Sequence, residues 1–278
     1  MLFGAHVSIA GGLEKAPLNA AALGCEVFQF FSRSPRGGKA GEITDEIREA
    51  FLANCKEHDL KQWVIHTPYY INLASPTARN RRFSGLLIRE ELERATLLGA
   101  SYVMFHPGTA KEVGHEKAIE YAAEEIKRVY DGYEGSAELL IEISAGAGEI
   151  IGASFEENAA ILEAVGNPAF GVCFDTCHAF ASGYDLRDAA SVKKTFAEFD
   201  RVIGLKKLKM SHCNDCKVGL GERRDRHEHL GKGKIGVEGF KAMIAHPKLK
   251  HMNFYLETEP EGVKADLKLL KKLRNNSS

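Results

Sequence analysis

The sequence contains no apolar run of about eighteen residues or more, the length that an α-helix needs to cross a bilayer. Its start, MLFGAHVSIAGG, has no basic segment and carries His6 within its apolar part, so a secretory signal is not expected. Six cysteines among 278 residues do not form a disulfide framework and favour free thiols in a reducing compartment. These absences predict a cytoplasmic protein with no membrane partner.

A large excess of either charge is also absent. The net charge of −1 gives the protein no overall attraction to a polyanion, so any such binding must come from local patches. A length of 278 residues suits one large domain or two small ones, and no linker or shift in composition divides the chain. We therefore expect one domain over residues 1–278, with a frayed polar tail at its end.

The chain does contain a regular alternation of short β-rich apolar segments and amphipathic segments. Residues 91–100, 115–130 and 155–166 repeat apolar side chains every three or four positions, as helices with one buried face do. Strands that alternate with helices are typical of parallel βαβ units, and eight of them close a (β/α)₈ barrel. The rival is a doubly wound sheet, whose usual G-x-G-x-x-G loop is not matched by GGLEKA at 11–16. We predict an α/β fold, a single TIM barrel with its site at the C-terminal mouth. The eight strand segments are Leu2–Val7, Val27–Phe31, Trp63–His66, Tyr102–His106, Leu139–Ile143, Gly171–Asp175, Leu205–His212 and Met252–Glu257.

Ionisable side chains mark the ends of six consecutive strand segments. In a barrel these ends surround one mouth, which is where chemistry occurs in this fold. An ionisable group that ends an apolar strand is costly to bury unless it is paired or bound to a metal. One such residue is unremarkable, but six in succession predict a shared site. The candidates are His66, His106, Glu142, Asp175 with His178, His212 with Asp225 and His227 in its loop, and Glu257.

The mixture of imidazole and carboxylate donors suits zinc, manganese or iron and argues against a thiolate cage here. Nine candidates are too many for one tetrahedral ion and suit two or three ions, with a carboxylate such as Glu142 as a bridge. Clusters of this kind act on the attacking and leaving oxygens in phosphoryl transfer. The pattern therefore predicts hydrolysis of a phosphate ester.

The segment GVCFDTCHAF, residues 171–180, also offers two thiols. Cys173 precedes Asp175 by two residues on the strand, so we expect it to face the same side one layer deeper, as a small apolar residue. Cys177 is expected in a turn between Asp175 and His178. A cysteine zinc site would need a second pair, and only C-N-D-C at 213–216 offers one. We expect these cysteines to be structural, with a redox or extra-metal role as the alternative.

Basic residues are concentrated in three of the loops that follow strand segments. Around one mouth, and close to divalent cations, such loops predict contacts with a phosphate backbone. The alternative is an ordinary solvated charged surface. The residues are Arg33, Arg36 and Lys39, then Arg79, Arg81 and Arg82, then Lys217, Arg223, Arg224, Arg226, Lys232 and Lys234.

Taken in order, these segments resemble the endonuclease IV family, the zinc-dependent apurinic/apyrimidinic endonucleases of base excision repair. The resemblance implies one zinc at His66, His106 and Glu142, a second at Glu142, Asp175, His212 and Glu257, and a third at His178, Asp225 and His227. The chain departs from the family pattern at Ile143–Ser144 and in the Gly37–Gly38 loop, where the family commonly has an aromatic residue. The motifs are GAHVSIAGGL (4–13), HTPYYINLA (66–74), HPG (106–108), GVCFDTCHAFASGYD (171–185), HCND (212–215), DRHEHLGKGKIG (225–236) and LET (256–258).

The resemblance also implies an activity. The family hydrolyses the phosphodiester on the 5′ side of an abasic site in double-stranded DNA, leaving a 3′-OH and a 5′-deoxyribose phosphate, and it trims blocked 3′ ends. It implies three zinc ions per chain, with manganese or iron in part, and Glu142 as the shared catalytic carboxylate. Side chains matching Arg36, Tyr69 and Tyr70 enter the duplex. We expect a monomer.

Two other functions remain open at this stage. A sugar isomerase or epimerase of the xylose-isomerase-like group also gathers His, Glu and Asp at strand ends, but it needs only one or two metals. A catalytically silent metal-binding or DNA-binding protein on the same scaffold would be expected to lack ligands, and none is missing. His6 is expected to support the site and the alternative is that it binds a metal.

Overall fold

The computed structural model describes residues 1–276. Within them, eight parallel strands close a barrel in the order β1-β10-β7-β6-β5-β4-β3-β2. This confirms the predicted TIM barrel, and each strand lies within about three residues of its predicted segment. The strands are Phe3–Val7 (β1), Val27–Phe30 (β2), Gln62–His66 (β3), Tyr102–Phe105 (β4), Glu138–Glu142 (β5), Phe170–Asp175 (β6), Leu208–His212 (β7) and Asn253–Leu256 (β10).

Helices follow the strands and cover the outside of the barrel. The predicted helical segments 115–130 and 155–166 correspond to α4 and α5, and 91–100 is the second half of a longer helix, α3. Within residues 1–276, none of the helices combines the length and the apolar character needed to cross a membrane. The helices are Ala16–Leu23 (α1), Asp45–Glu57 (α2), Ala78–Leu98 (α3), His115–Tyr130 (α4), Phe155–Val165 (α5), Thr176–Ser182 (α6), Ala189–Val202 (α7), Gly236–Ala245 (α8) and Val263–Asn275 (α9), with short 3₁₀ turns at Leu13–Lys15, Ala147–Glu149, Leu205–Lys207 and Pro247–Leu249.

Two separate apolar layers hold the barrel together. The outer layer packs strands against helices, with phenylalanines such as Phe28, Phe105 and Phe174 fully buried. The inner layer fills the barrel interior below the mouth, and it is formed by side chains that point inward from seven strands. These are Val27, Val64, Met104, Leu140, Cys173, Met210 and Tyr255. Cys173 lies in this layer as expected from its spacing to Asp175.

The expected turn between Asp175 and His178 is wrong, because residues Thr176–Ser182 form the helix α6. The Asp175 carboxylate caps this helix by accepting a hydrogen bond of 2.7 Å from the backbone N–H of His178. An aspartate at this position satisfies one of the free N–H groups of the first turn. The helix therefore begins directly at the barrel mouth and fixes where His178 points.

The long segment after β7 contains a small antiparallel ladder of Asp215–Cys216 (β8) and His227–Glu228 (β9). The buried Asp215 carboxylate accepts backbone N–H bonds from Gly231 at 2.9 Å, Gly233 at 3.1 Å and Ile235 at 2.9 Å. These bonds anchor the returning end of the loop that carries Asp225 and His227.

A close approach of β1 to β2 depends on Gly4. A Cβ at Gly4 would lie only 1.7 Å from the carbonyl oxygen of Val27. The change Gly4→Ala is expected to lower the free energy of unfolding by roughly 1–3 kcal/mol or more, because the strands must separate to admit the methyl group. Urea unfolding of the metal-free protein measures this. Gly41→Ala is the control, because a Cβ there meets nothing within 4 Å; equal stability of the two variants would contradict the proposed packing.

Candidate metal centre

Strand pleating explains how six of the candidate ligands reach one site. Successive side chains of a strand point to opposite faces, so a residue two positions after an inward-facing one also faces inward, nearer the mouth. Val64 in the inner layer precedes His66, and Leu140 precedes Glu142 in the same way. The other pairs are Met104 and His106, Cys173 and Asp175, Met210 and His212, and Tyr255 and Glu257.

The structure brings all nine candidate residues together in three adjacent groups. In each group the donor atoms lie within 4.8 Å of one another. The second group shares Glu142 with the first, and the third is contributed by α6, the loop between β8 and β9, and the first residue of β9. The groups are His66, His106 and Glu142; Glu142, Asp175, His212 and Glu257; and His178, Asp225 and His227.

Glu142 occupies the centre of this arrangement and is fully buried. Its Oε1 lies 2.8 Å from Nδ1 of His212 and 3.2 Å from Nδ1 of His178, and its Oε2 lies 3.3 Å from Nε2 of His106. Burial acts to raise the pKa of Glu142, but His106 and His212 hold it well below its usual value. The carboxylate is therefore ionised and available to more than one cation.

Backbone carbonyls orient two of the imidazole rings. Nδ1 of His66 donates to the carbonyl of Thr67 at 2.6 Å, and Nδ1 of His178 donates to the carbonyl of Ile143 at 3.0 Å. In each ring this leaves Nε2 free to bind a cation, as is usual for metal-binding histidines. Because the backbone of Ile143 accepts the bond from His178, this contact does not depend on the side chain at the position where the chain departs from the family pattern.

Gln29 is a buried polar residue of the site that the sequence reasoning missed. Its Oε1 accepts from Nε2 of His212 at 2.7 Å, and its Nε2 donates to Oε1 of Glu257 at 2.7 Å and to Nδ1 of His6 at 3.0 Å. Gln29 lies within the apolar strand VFQF and was counted as part of it. Its position two residues after Val27 is the signal that could have revealed it. His6 contacts Gln29 and belongs to none of the donor groups within residues 1–276.

Asn214 is a second supporting residue that was not predicted. Its Nδ2 donates to Oδ2 of Asp175 at 2.8 Å, and its Oδ1 accepts from the backbone N–H of Glu257 at 2.8 Å. The amide therefore links the ends of β6 and β10. The neighbouring Asp215 anchors the loop, so both residues of the segment after His212 support the site.

The third group joins α6 to the loop. Oδ1 of Asp225 lies 3.1 Å from Nε2 of His178 and 3.2 Å from Nε2 of His227. A thiol is also close, since Asp175, Cys177 and His227 form another possible combination. A hydrogen bond with Cys216, together with burial, raises the pKa of the Cys177 thiol, which keeps its sulfur protonated. In the metal-free protein this sulfur therefore carries no charge, whereas Asp225 and Asp175 offer carboxylate donors beside it.

Unsatisfied buried atoms show that the arrangement suits bound cations. Oε2 of Glu142, Nε2 of His178 and Nε2 of His227 are buried and form no hydrogen bond of good geometry among residues 1–276, although an oppositely charged group lies 3.1–3.3 Å from each. Buried polar atoms without a hydrogen bond are rare in proteins unless an ion or a water molecule binds to them. Burial acts to lower the pKa of His178, but Asp175, Asp225 and Glu142 raise it well above its usual value. In the absence of metal the His178 imidazole is thus held protonated between these carboxylates.

The candidate DNA-contacting residues lie at the same mouth but face different ways. The ring of Tyr69 lies 5.3 Å from that of His66 and is stacked 6.5 Å from that of His106. Burial, with Glu257 as the next cause, raises the pKa of Tyr69 to about 12. Tyr70 and Arg36 instead line an adjacent cavity.

Two of the predicted basic residues are not available to a phosphate backbone. Arg33 is buried and forms ion pairs with Glu90, at 2.9 Å, and with Glu91. Arg81 lies 3.7 Å above the ring of Tyr121 and donates to a backbone carbonyl. The remaining ten are exposed: Arg36, Lys39, Arg79, Arg82, Lys217, Arg223, Arg224, Arg226, Lys232 and Lys234.

Comparisons with known proteins agree with this geometry. Residues 17–273 match the family model for the xylose isomerase-like TIM barrel. The chain is 40% identical to a probable endonuclease 4 of Halothermothrix orenii over 278 residues, which covers 99% of this chain and 100% of the relative. The crystal structure of endonuclease IV from Thermus thermophilus superposes with a TM-score of 0.87 at 35% identity, covering 99% of this chain and 100% of that one.

A D-tagatose 3-epimerase-like protein superposes with a TM-score of 0.74 at 18% identity over 100% of this chain and 98% of its own. At this identity the likeness shows only a shared fold, so the sugar isomerase alternative gains nothing beyond the barrel. The relatives that match along nearly the whole chain at about 40% identity are named probable endonuclease 4. The chain is therefore a hydrolase that belongs to the endonuclease IV family, within the xylose isomerase-like TIM barrels.

Proposed function

We propose that this protein hydrolyses the phosphodiester bond on the 5′ side of abasic sites in double-stranded DNA, leaving a 3′-OH and a 5′-deoxyribose phosphate. It also trims blocked 3′ ends. The observation that carries the proposal is the set of three donor groups around Glu142, together with ten exposed basic side chains, eight of them in loops and two, Arg79 and Arg82, in the first turns of α3, where a loop had been expected. Cations and basic loops at one mouth suit a phosphate backbone. As a repair enzyme it would act as a monomer in the cytoplasm.

The donor set fits three zinc ions per chain, with manganese or iron in part. When bound, such ions lower the pKa of water and neutralise charge on a phosphate that is being cleaved. The ligands would be His66, His106 and Glu142; Glu142, Asp175, His212 and Glu257; and His178, Asp225 and His227.

The protein's own residues prepare this site for its substrate. Gln29 holds the His212 ring and the Glu257 carboxylate in fixed positions, and Asn214 does the same for Asp175. The exposed basic residues of the mouth would position the DNA by its phosphates. An abasic nucleotide offers no base to read, so recognition must use the gap in the stack, where the duplex bends easily. Arg36, Tyr69 and Tyr70 are the residues that would enter it.

The sugar epimerase alternative explains less of the molecule. An enzyme of that class needs one or two metals, which leaves the group of His178, Asp225 and His227 without a purpose. It also has no use for exposed arginines and lysines around the mouth. Metal content therefore separates the two functions.

Three metal ions per chain are expected in protein purified without chelators. Elemental analysis should give close to three ions, mostly zinc, and chelation should abolish DNA cleavage. Because His178 carries a raised pKa in the metal-free state and must be neutral to bind a metal, reloading should release protons and weaken as the pH falls. One ion or fewer per chain would overturn the trinuclear assignment and favour the epimerase.

Glu142→Gln is expected to lower kcat for abasic DNA by about 100-fold or more, because the amide cannot serve two cations as the ionised carboxylate does. Affinity for DNA should change far less, since the basic loops are intact. Steady-state cleavage and equilibrium binding measure the two effects. Cys216→Ser is the control and should keep its metal and most of its activity; zinc loss in that variant would show that a thiol is a ligand.

Tyr69→Ala is expected to weaken binding to an abasic duplex by several-fold and to leave binding to an intact duplex nearly unchanged, because base–aromatic stacking contributes about 1–3 kcal/mol per base. Lys232→Ala provides the contrast, since loss of a phosphate contact should weaken both duplexes equally and reduce the salt dependence. Zinc content must be measured in the Tyr69 variant, whose ring contacts His66 and His106. Equal losses on both duplexes would show that Tyr69 only supports its loop.

A further inference from the structure

Two buried thiols lie together at the edge of the candidate metal centre and belong to none of its three donor groups. Within residues 1–276 all six cysteines are free thiols. Cys177, in the first turn of α6, and Cys216, in β8, are both fully buried, and a hydrogen bond joins their thiols. The pair takes one cysteine from the segment 171–180 and one from C-N-D-C at 213–216, so the two motifs meet in space.

The contact between the thiols follows from the way α6 packs against β8. Oγ1 of Thr176 donates to the carbonyl of Asn214 at 2.6 Å and accepts from the backbone N–H of Asn214 at 2.9 Å. These two bonds hold the first residue of α6 against the segment that leads into β8. Cys177 follows Thr176 directly, and Cys216 follows Asn214 by two positions. The fold therefore places the two sulfur atoms side by side.

Each sulfur also accepts a hydrogen bond from the backbone. The N–H of Val218 donates to the sulfur of Cys216, and the N–H of Arg226 donates to the sulfur of Cys177. Cys216 thus accepts from two donors, the Val218 N–H and the Cys177 thiol. Hydrogen bonds to a sulfur favour its thiolate form, which is the nucleophile in thiol chemistry. Cys216 is therefore the member of the pair that is arranged to react first.

The pair connects the two elements that present the third donor group. Cys177 is the neighbour of His178 in α6, and Cys216 faces His227 across the ladder of β8 and β9. The N–H group that bonds to the Cys177 sulfur belongs to Arg226, the residue directly before His227. Any change at the two sulfurs is therefore transmitted to both imidazoles.

We propose that Cys177 and Cys216 are a redox modification site, at which hydrogen peroxide converts the two thiols to a disulfide. The Cys216 sulfur attacks one oxygen of the peroxide and breaks the O–O bond, which gives a sulfenic acid and releases the other oxygen as water. The Cys177 sulfur then attacks the Cys216 sulfur, forms the S–S bond and displaces the hydroxyl as a second water. The two thiols lose two electrons and two protons in total, and the peroxide is reduced to two water molecules.

A small oxidant can reach the pair through the loop that connects β8 to β9. Most residues between 217 and 226 are exposed, and the two ends of this segment are the ones that contact the sulfurs. The ladder below it consists of only two residue pairs. Short elements of this kind open locally at a small cost in free energy. In a reducing compartment such a disulfide is transient, as those of redox-sensing proteins are.

Closure of the disulfide alters the third donor group. The sulfurs move from a hydrogen-bonded contact to a bond of about 2 Å, which draws the first turn of α6 against β8. The Cys177 sulfur then no longer accepts from Arg226 as it does in the thiol form. We expect the oxidised protein to bind a cation at His178, Asp225 and His227 about tenfold or more less tightly, as metal sites do when supporting contacts are lost. This effect rests on the proposed function, whereas formation of the disulfide does not.

The test treats the protein, purified with its metals, with hydrogen peroxide. Free thiols should fall from six to four per chain, and peptide mapping without reduction should show a cross-link between Cys177 and Cys216. Competition with a chelator should then remove one ion about tenfold more easily than before oxidation. A phosphine reductant, which breaks the disulfide, should restore both the thiols and the hold on the ion.

Three variants separate the pair from the other cysteines. Cys216→Ser and Cys216→Ala should form no cross-link to Cys177 and should keep their grip on the metal after peroxide treatment. Two substitutions are used so that a folding defect in one does not decide the result. Cys213→Ser removes a buried thiol three positions earlier in the same motif and should respond to peroxide as the unmodified protein does.

Several results would overturn the proposal. One is a peroxide-treated protein that keeps six thiols, and another is a cross-link that joins a different pair of cysteines. A third is metal release by peroxide that is the same in the Cys216 variants. Loss of an ion from untreated Cys177→Ser protein would show that this sulfur is a ligand and would overturn the redox assignment. If the untreated protein does not cleave abasic DNA, the proposed function fails, and thiol counting and peptide mapping still decide whether the disulfide forms.

Discussion

One buried carboxylate, that of Glu142, holds the arrangement of the site together. Three imidazoles lie within 3.3 Å of its oxygens, and one of those oxygens forms no hydrogen bond of good geometry among residues 1–276. A buried ion of this kind is stable only when opposite charges or cations surround it. The surrounding histidines come from α6, from β7 and from the residue that follows β4. The central carboxylate therefore couples separate parts of the barrel into a single site.

The regular structure of the barrel strands by itself produces most of the geometry of that site. The inner apolar layer and the donor layer above it are produced by the same alternation of side chains along each strand. A residue such as Leu140 packs the interior while Glu142, two positions later, reaches the mouth. The side chains that stabilise the barrel interior and the candidate donors thus lie in adjacent layers of the same strands. Seven of the nine candidate donors lie on barrel strands, directly after them or on α6, His227 begins β9, and only Asp225 lies in a loop.

Much of this could be predicted from the sequence, because the relevant signals are periodic. Alternating strands and helices predicted the barrel, and ionisable residues at strand ends predicted which side chains meet. Gln29 and Asn214 escaped prediction, since a single amide within or after an apolar run has no charge to mark it. The helix at Thr176–Ser182 was missed because its first turn depends on a cap from Asp175, which had been considered only as a ligand. The burial of Arg33 was also missed, because its partners Glu90 and Glu91 lie on α3, far away in the chain.

The anchoring of the loop by Asp215 affects how a cation would enter the site. Its carboxylate holds the backbone at Gly231, Gly233 and Ile235 with bonds that involve no metal. The entropy lost on closing this loop is therefore lost when the chain folds, and would not have to be offset by a cation at Asp225 and His227. The candidate position at His178, Asp225 and His227 is thus organised in advance by the protein's own hydrogen bonds. A cation there could leave and return without the loop having to refold.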